Sequence, residues 1–359
     1  MRVGIIGLGQ SGKSSLFHTM TEQRPEPPSG KPHRRLGRAL VPDERVEYIA
    51  KNEGSKKKTY AEVNFLDPDG FPPEAGKSLT AELLMMVRGC ELLALVVRDF
   101  TDPSIMHPLG SIDGLRDINN CFNDLIIQDL AVFEGRYERS KRQYERGDKS
   151  LKLEIETLDR VMVALGDGKF LSEVEWSKDE LGILMHFEPL TLASGIVVWN
   201  VNEDAAFGRG GVGVPPEVKK LCDDKGWGCG AVRLLLESEV MEIDPDERRE
   251  FGSQLGLIET VRDRFLTAVY NRLGLLSFYT AGPKEAAART IRRGETAWDA
   301  AGKIHSDIQK GFIRAEVMSF DDYVKYGNED GVKKAGRYRV EKKEYVVREG
   351  DIFYFRFNV

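Results

Sequence analysis

The stretch Gly7-Leu8-Gly9-Gln10-Ser11-Gly12-Lys13-Ser14 constrains this chain more than any other. It has the form GxxxxGK[ST] and stands where that form has a physical meaning. Before it, Arg2-Val3-Gly4-Ile5-Ile6 reads as a short buried strand; after it, a helix is expected from about Lys13. Glycines let the backbone turn tightly enough for successive N–H groups to surround phosphate oxygens, and the following helix adds the positive end of its dipole. Lys13 would reach the β- and γ-phosphates, and the Ser14 hydroxyl would ligate Mg²⁺. Gly7, Gly9, Gln10, Ser11, Gly12 and Ser15 complete the expected cradle. The predicted fold is therefore α/β, a P-loop NTPase of the GTPase-like kind built on a parallel sheet.

Two later motifs fall where such a fold needs them. Tyr60–Leu66 reads as a strand that ends in Asp67-Pro68-Asp69-Gly70, the form DxxG. Asp67 would hold Mg²⁺ through water, and the Gly70 N–H would sense the γ-phosphate. Taken alone, the same four residues make a good type I turn, with Pro second and Gly fourth. Gly195–Trp199 is another strand candidate, and Asn200-Val201-Asn202-Glu203 follows it in the place of NKxD. The Asn200 amide can pair with the N7 and the 6-substituent of either purine. Aspartate in the fourth position would accept from guanine N1–H and N2–H₂, so Glu203 there weakens the case for guanine. Asn202 lies between them, and a plain surface turn is the competing reading of all four residues.

A chain of 359 residues exceeds one ordinary core, so two or three domains are expected. Its net charge of −6 excludes a surface coated in basic residues for nucleic acid, though not one local basic face. The four cysteines show no CxxC spacing, which favours free thiols over a disulfide frame or a zinc site. The longest apolar runs, such as Leu92–Val97, fall far short of the roughly 20 residues that cross a bilayer. Arg2 leads directly into the first strand rather than into a signal-peptide layout, so a cytoplasmic protein with no membrane contact is expected.

Between the strand candidates Glu91–Val97 and Gly195–Trp199 lies a long helical stretch. Ile126, Leu130, Phe133, Tyr137 and Tyr144 form one seam. After Gly147-Asp148, a second runs through Leu151, Ile155, Leu158, Met162 and Leu165. Two heptad-like seams around a Gly-Asp break predict an antiparallel helical hairpin. Cations near its tip, among them Arg136, Arg139 and Lys141, mark either a solvated helix end or a contact with RNA or an acidic partner. Residues 22–58 read as mostly loop, with a short helix near Asp43–Ala50. From Phe278 onward a small mixed module is expected, with a helix over Thr296–Gln309 and strands at Phe312–Ser319, Tyr345–Val347 and Asp351–Phe357.

In these motifs and their order the chain resembles the Obg-like ATPases, the YchF family. The likeness is densest at Phe278-Tyr-Thr-Ala-Gly282, Ala300-Ala-Gly-Lys-Ile-His305, Lys310-Gly-Phe-Ile-Arg-Ala-Glu316 and Phe355-Arg-Phe-Asn-Val359. It also runs through Val97-Arg98, Asp102, His107 and Leu115-Arg-Asp-Ile118. The resemblance implies a GTPase-like domain at 1–115 and 190–275, an inserted coiled-coil domain at 116–189, and a TGS-like β-grasp domain at 276–359. It further implies ATP in preference to GTP, Mg²⁺ as cofactor, and ribosomes or a ribosomal subunit as partner. Contact with rRNA or tRNA would run through the arm and the TGS-like domain. The family's hydrophobic replacement for the usual catalytic Gln corresponds to Phe71. His107 matches the family's histidine after the third strand and is the expected water-positioning group, although a lone histidine is more often structural.

Three departures from that pattern bear on hydrolysis. Pro25–Arg38 holds no threonine for a phosphate-proximal switch, and Ser29 is its only hydroxyl. The Gly-rich stretch after DxxG is clipped to Phe71–Lys77 and stiffened by Pro72 and Pro73. Arg233-Leu234-Leu235 stands where the fifth GTPase element would carry an SAK-like sequence. Nucleotide binding should survive these changes. Turnover is the property they threaten, and a binding protein without useful hydrolysis is the competing expectation.

Overall fold

The computed structural model describes residues 1–23, 33–69, 78–203, 213–244, 247–254 and 260–358. Gly70, Phe71 and the rest of the clipped stretch, and Ser29 in the switch segment, lie outside the described residues. Contacts divide the chain into two compact units: Met1–Ala39 with Asn64–Arg264, and Leu40–Val63 with Phe265–Val359.

The first unit is built on β1 (Arg2–Ile6), β2 (His33–Leu40), β4 (Glu62–Asp69), β5 (Leu92–Asp99), β6 (Ser194–Val201) and β7 (Gly228–Val232), while β3 (Lys57–Thr59) belongs to the second. The sheet order is β2-β4-β1-β5-β6-β7, with β1 parallel to β4 and β5, and β6 parallel to β5 and β7. Val3, Ile5, Ile6 and Leu92 through Val97 are buried, as expected of parallel strands covered on both faces. Strand order reverses at β1, with β4 on one side and β5 on the other. The crevice beyond the carboxyl ends of these strands is where such sheets bind ligands.

β2 corrects the loop reading of residues 33–40. Arg34, Leu36, Arg38 and Leu40 are exposed while Gly37 and Ala39 are buried, so the strand does alternate. Its inward positions carry Arg35, Gly37 and Ala39, which leave no hydrophobic period to read.

The helical hairpin forms from α4 (Gly114–Glu145) and α5 (Lys152–Gly166), joined by a turn at Gly147, whose φ is +113°. Asp113 caps α4 by accepting from the Arg116 amide. Phe133, Leu158, Val161 and Leu165 are buried along the seam, continuous with the core of the sheet. Near the tip, Arg136 makes a two-pronged pair with Glu154 at 2.6 and 2.9 Å, and Ser140 donates to the same carboxylate. That part of the cationic cluster therefore pins the two helices together.

In the second unit β8 (Leu275–Thr280) and β9 (Glu285–Arg292) pair antiparallel, and β12 (Asp351–Phe357) runs parallel to β8. β10 (Phe312–Ser319) then lies antiparallel to β12, with β11 (Arg339–Glu341) at the edge, in a β-grasp arrangement. The helix Ala297–Ile304 buries Ala297, Ala300 and Ala301, and Ala297 and Ala300 pack with Phe278, Val317 and Phe353. The expected helix over 296–309 is two short ones, because His305 is extended and its ring accepts from the Asp307 amide, capping Ser306–Lys310. Tyr345–Val347 is not a strand; it carries one bridge, between Val346 and Thr296.

Residues 40–63 group with this unit rather than with the phosphate-loop domain. The helix α2 (Glu44–Glu53) buries Val46, Ile49 and Ala50 against Tyr279, Ala286, Met318 and Tyr323. β3 pairs with β9 from Lys57 to Thr59, and the Tyr323 hydroxyl donates to Glu53 at 2.6 Å.

Candidate nucleotide site

The turn after β1 is shaped by two glycines. Gly7 has φ +144°, and a Cβ there would lie 2.4 Å from the Val96 carbonyl oxygen. Gly12 has φ +107°, and its Cβ would come within 2.6 Å of Asn200 Nδ2. A side chain at either position would combine strain with collision. The helix α1 (Lys13–Thr21) starts directly after Gly12 with no side-chain cap, so its first amides face the turn. Lys13 folds back over the loop, donating to the Gly7 and Leu8 carbonyl oxygens at 3.0 and 2.7 Å.

A cavity of about 950 Å³ opens beside this turn, within the range of small-ligand sites. Gly7, Gly9, Gln10, Gly12, Lys13, Ser14 and Ser15 line it, together with Asn200, Asn202 and Glu203. Ser11 and Asp67 are each 1% exposed and do not line it.

Ser14 and Asp67 are brought together by a residue that motif reading missed. Arg35, on β2, donates from Nη2 to Ser14 Oγ at 2.7 Å and pairs with the Asp67 carboxylate through the same nitrogen. Its guanidinium lies 5.5 Å from the centre of the Phe17 ring. The donor set fits Mg²⁺, since a hydroxyl and a carboxylate are hard oxygen ligands and the same two oxygens already gather a cation. Among the described residues no group of three or more His, Cys, Asp or Glu side chains is placed to hold a metal.

Asn200 acts first on its own protein. Its Nδ2 donates to the Ser11 carbonyl oxygen at 3.1 Å, and its Oδ1 accepts from the Leu234 amide at 3.2 Å. Asn202 grips Thr101, accepting from its amide at 2.9 Å and donating to its hydroxyl at 3.3 Å. Arg233 donates to the Glu203 carbonyl oxygen at 3.2 Å, and Leu235 reaches the cavity wall, so the fifth element keeps its place without its usual sequence. Arg98 is buried and staples the loop after β5 by donating to the Phe100 and Ile105 carbonyl oxygens, both at 3.1 Å. That loop brings Phe100, Thr101 and Ile105 to the cavity. Its position past the carboxyl end of β5 was the available signal.

His107 is not brought to the cavity. The Leu109 amide donates to its Nδ1 at 3.1 Å, which leaves Nε2 to donate to Asp117 at 3.0 Å. Asp117 also accepts from Arg116 at 2.8 and 3.0 Å, so His107 clasps the loop to the start of α4. Both ring nitrogens are engaged, and the histidine is buried.

Over its full length the chain is 34% identical to the "Ribosome-binding ATPase YchF" of Pasteurella multocida, covering 99% of that protein. The chain belongs to the YchF family. Its Bacillus subtilis relative of the same name is 32% identical, with each protein covered completely. Residues 275–358 match the family YchF-GTPase_C, described as "Protein of unknown function (DUF933)". The solved structure of the Schizosaccharomyces pombe YchF GTPase superposes with a TM-score of 0.85 at 26% identity, covering 99% of this chain and 97% of that one. The chain is thus an α/β protein of the P-loop GTPase fold with a C-terminal sheet module, and the site lies at the phosphate loop that fold implies. Among the described residues no helix is long and apolar enough to cross a membrane.

Proposed function

We propose that this YchF-family chain binds ATP, with GTP as the weaker ligand, hydrolyses it slowly with Mg²⁺, and uses nucleotide state to control association with ribosomes. The observation that carries the proposal is the uncapped start of α1, facing a cavity that Asn200, Asn202 and Glu203 also line. The amides of Gly9–Ser14 and the α1 N-terminus would hold the phosphates, and Lys13 would exchange two carbonyl acceptors for phosphate oxygens. Ser14 and, through water, Asp67 would hold Mg²⁺, which neutralises charge on the transferring phosphoryl group. The Gly70 N–H would sense the γ-phosphate, Phe71 would replace the usual catalytic Gln, and His107 would orient the attacking water once released from Asp117.

The names of the relatives support ribosome binding and, with it, a cytoplasmic location. The division of labour expected from the sequence is a nucleotide domain at 1–115 and 190–275, an arm at 116–189 and a terminal module at 276–359. The contacts adjust it: we propose that residues 40–63 and 265–275 serve the terminal module and the rest of those ranges keep their parts. The arm and the module would meet rRNA or tRNA, the module through cations such as Arg289, Arg293 and Lys310. Binding of that kind weakens steeply with salt.

The clasp between His107 and Asp117 favours a second reading, nucleotide binding without useful hydrolysis. Equilibrium binding of ATP and GTP with Mg²⁺, to the intact chain and to Lys13→Ala, tests the main proposal. Tight ATP binding that Lys13→Ala abolishes is expected, and binding indifferent to Lys13 would sink it. Turnover with and without ribosomes then separates the two readings. Unchanged turnover in His107→Ala would remove that residue from catalysis.

A further inference from the structure

Three arginines lie on β2, and only one turns inward. Arg34 and Arg38 are exposed, whereas the Arg35 side chain is 9% exposed and ends on Ser14 and Asp67. The pleat sets this aim, because successive side chains of a strand leave opposite faces. Phe17 flanks the guanidinium, and Asp67 is itself 1% exposed, so the pair sits away from bulk water. Such a pair resists removal of one member, since the other is left as an uncompensated buried charge.

The two oxygen-bearing groups that Arg35 engages are the ones proposed above to hold Mg²⁺. Mg²⁺ on Ser14 Oγ would stand beside a guanidinium nitrogen that lies 2.7 Å from the same oxygen, and two cations that close in a buried site repel strongly, so the pocket does not hold both at once. We infer that Arg35 is a built-in competitor for the divalent cation: Mg²⁺ gains Ser14 and Asp67 only by displacing the guanidinium. The inference rests on the proposal that this cavity binds Mg²⁺ and nucleotide. It goes further in making the magnesium requirement a property that one strand residue sets. A ligand whose site is open only part of the time binds with an apparent affinity reduced by that fraction. Arg35 therefore raises the Mg²⁺ concentration at which nucleotide binding tightens. Phosphate binding by the loop amides and Lys13 does not involve Arg35 and proceeds without it.

The test is equilibrium binding of a fluorescent ATP analogue to the full-length protein during a Mg²⁺ titration from an EDTA baseline. Wild type, Arg35→Gln and Arg35→Lys are compared after thermal unfolding confirms that each is folded. Arg35→Gln should lower the half-point of the Mg²⁺ effect by about tenfold, the size of one charged hydrogen bond. Arg35→Lys, which keeps the charge but loses the planar fork, should lower it by less. Binding in EDTA should change by less than about twofold. Coincident Mg²⁺ titrations would overturn the inference while leaving the proposed function standing. Loss of EDTA-phase binding in Arg35→Gln would also overturn it, by making Arg35 a phosphate ligand. If Arg35→Gln does not fold, Arg35→Lys decides by the same criterion. A wild-type protein that binds no nucleotide at any Mg²⁺ concentration would overturn both readings, an outcome distinct from either of the others.

Discussion

The two proposed ends of the cavity, one for phosphate and one for base, are built on different principles. At the phosphate end the working groups are backbone amides and one uncapped helix start, contributed by eight consecutive residues, Gly7–Ser14. At the base end they are side chains from three separate segments, 98–105, 200–203 and 233–235, most of them already bonded to one another. A site made of backbone depends on glycine and collapses when a Cβ is added. A site made of tethered side chains loses its parts one hydrogen bond at a time.

Gly12→Ala should break the phosphate end outright. The added Cβ would meet Asn200 Nδ2 at 2.6 Å in a backbone conformation with φ +107°. Relieving both needs a shift of the loop that orients the amides, which we expect to weaken ATP and GTP alike by about 100-fold or more. Calorimetric titration of both nucleotides checks this. A loss confined to one nucleotide would mean that the two ends are not separable in this way.

Glu237→Gln probes the helix Leu234–Met241, whose first turn forms the wall of the base end. Glu237 is buried, accepting from the Val261 amide and pairing with Arg264 at 3.4 Å. Burial pushes its carboxyl up to about 7 from an ordinary 4.5, against the pull of the Val261 amide, Arg264 and Arg233. The folded protein therefore holds this proton more tightly than the unfolded chain does. The penalty is absent below about pH 4.5 and complete above about pH 7, so stability falls as pH rises through that window. Between pH 5 and pH 7.5 the loss is about 2–3 kcal/mol. Denaturant unfolding at pH 5 and pH 7.5 should show wild type losing that much more than Glu237→Gln. Parallel pH profiles for the two proteins would contradict it.

The same contrast governs what could be read from the sequence. Backbone function leaves a contiguous signature, so the glycine-rich turn was legible in the sequence, as were the strand before it and the helix after it. Asn200 was found at its strand end, but its main bonds, to Ser11 and Leu234, join residues that no local pattern connects. His107 and Asp117 both carried a family likeness, whereas their pairing became visible only in space. Arg35 was hidden because β2 places charged and small residues at its inward positions, where a reader of hydrophobic period finds nothing. α2 showed an apolar face in Val46, Ile49 and Ala50. An amphipathic face says that a helix is buried without saying against what, so its place on the C-terminal sheet module could not be read.

The smallest effect we predict sharpens the comparison most. Asn202 spends its amide on Thr101, accepting at 2.9 Å and donating at 3.3 Å, and so holds the loop after β5 beside the base end. Asn202→Ala removes that grip and leaves the phosphate loop untouched. A partly exposed pair of hydrogen bonds is worth about 1 kcal/mol, so affinity should fall several-fold rather than a hundredfold. Because Asn202 binds protein at both ends of its amide, the ATP and GTP affinities should fall by the same factor. A change in their ratio, measured by competition between the two nucleotides, would make Asn202 a reader of the base instead. The base end would then select its ligand through Asn202 itself, rather than through the wall that Asn202 holds in place.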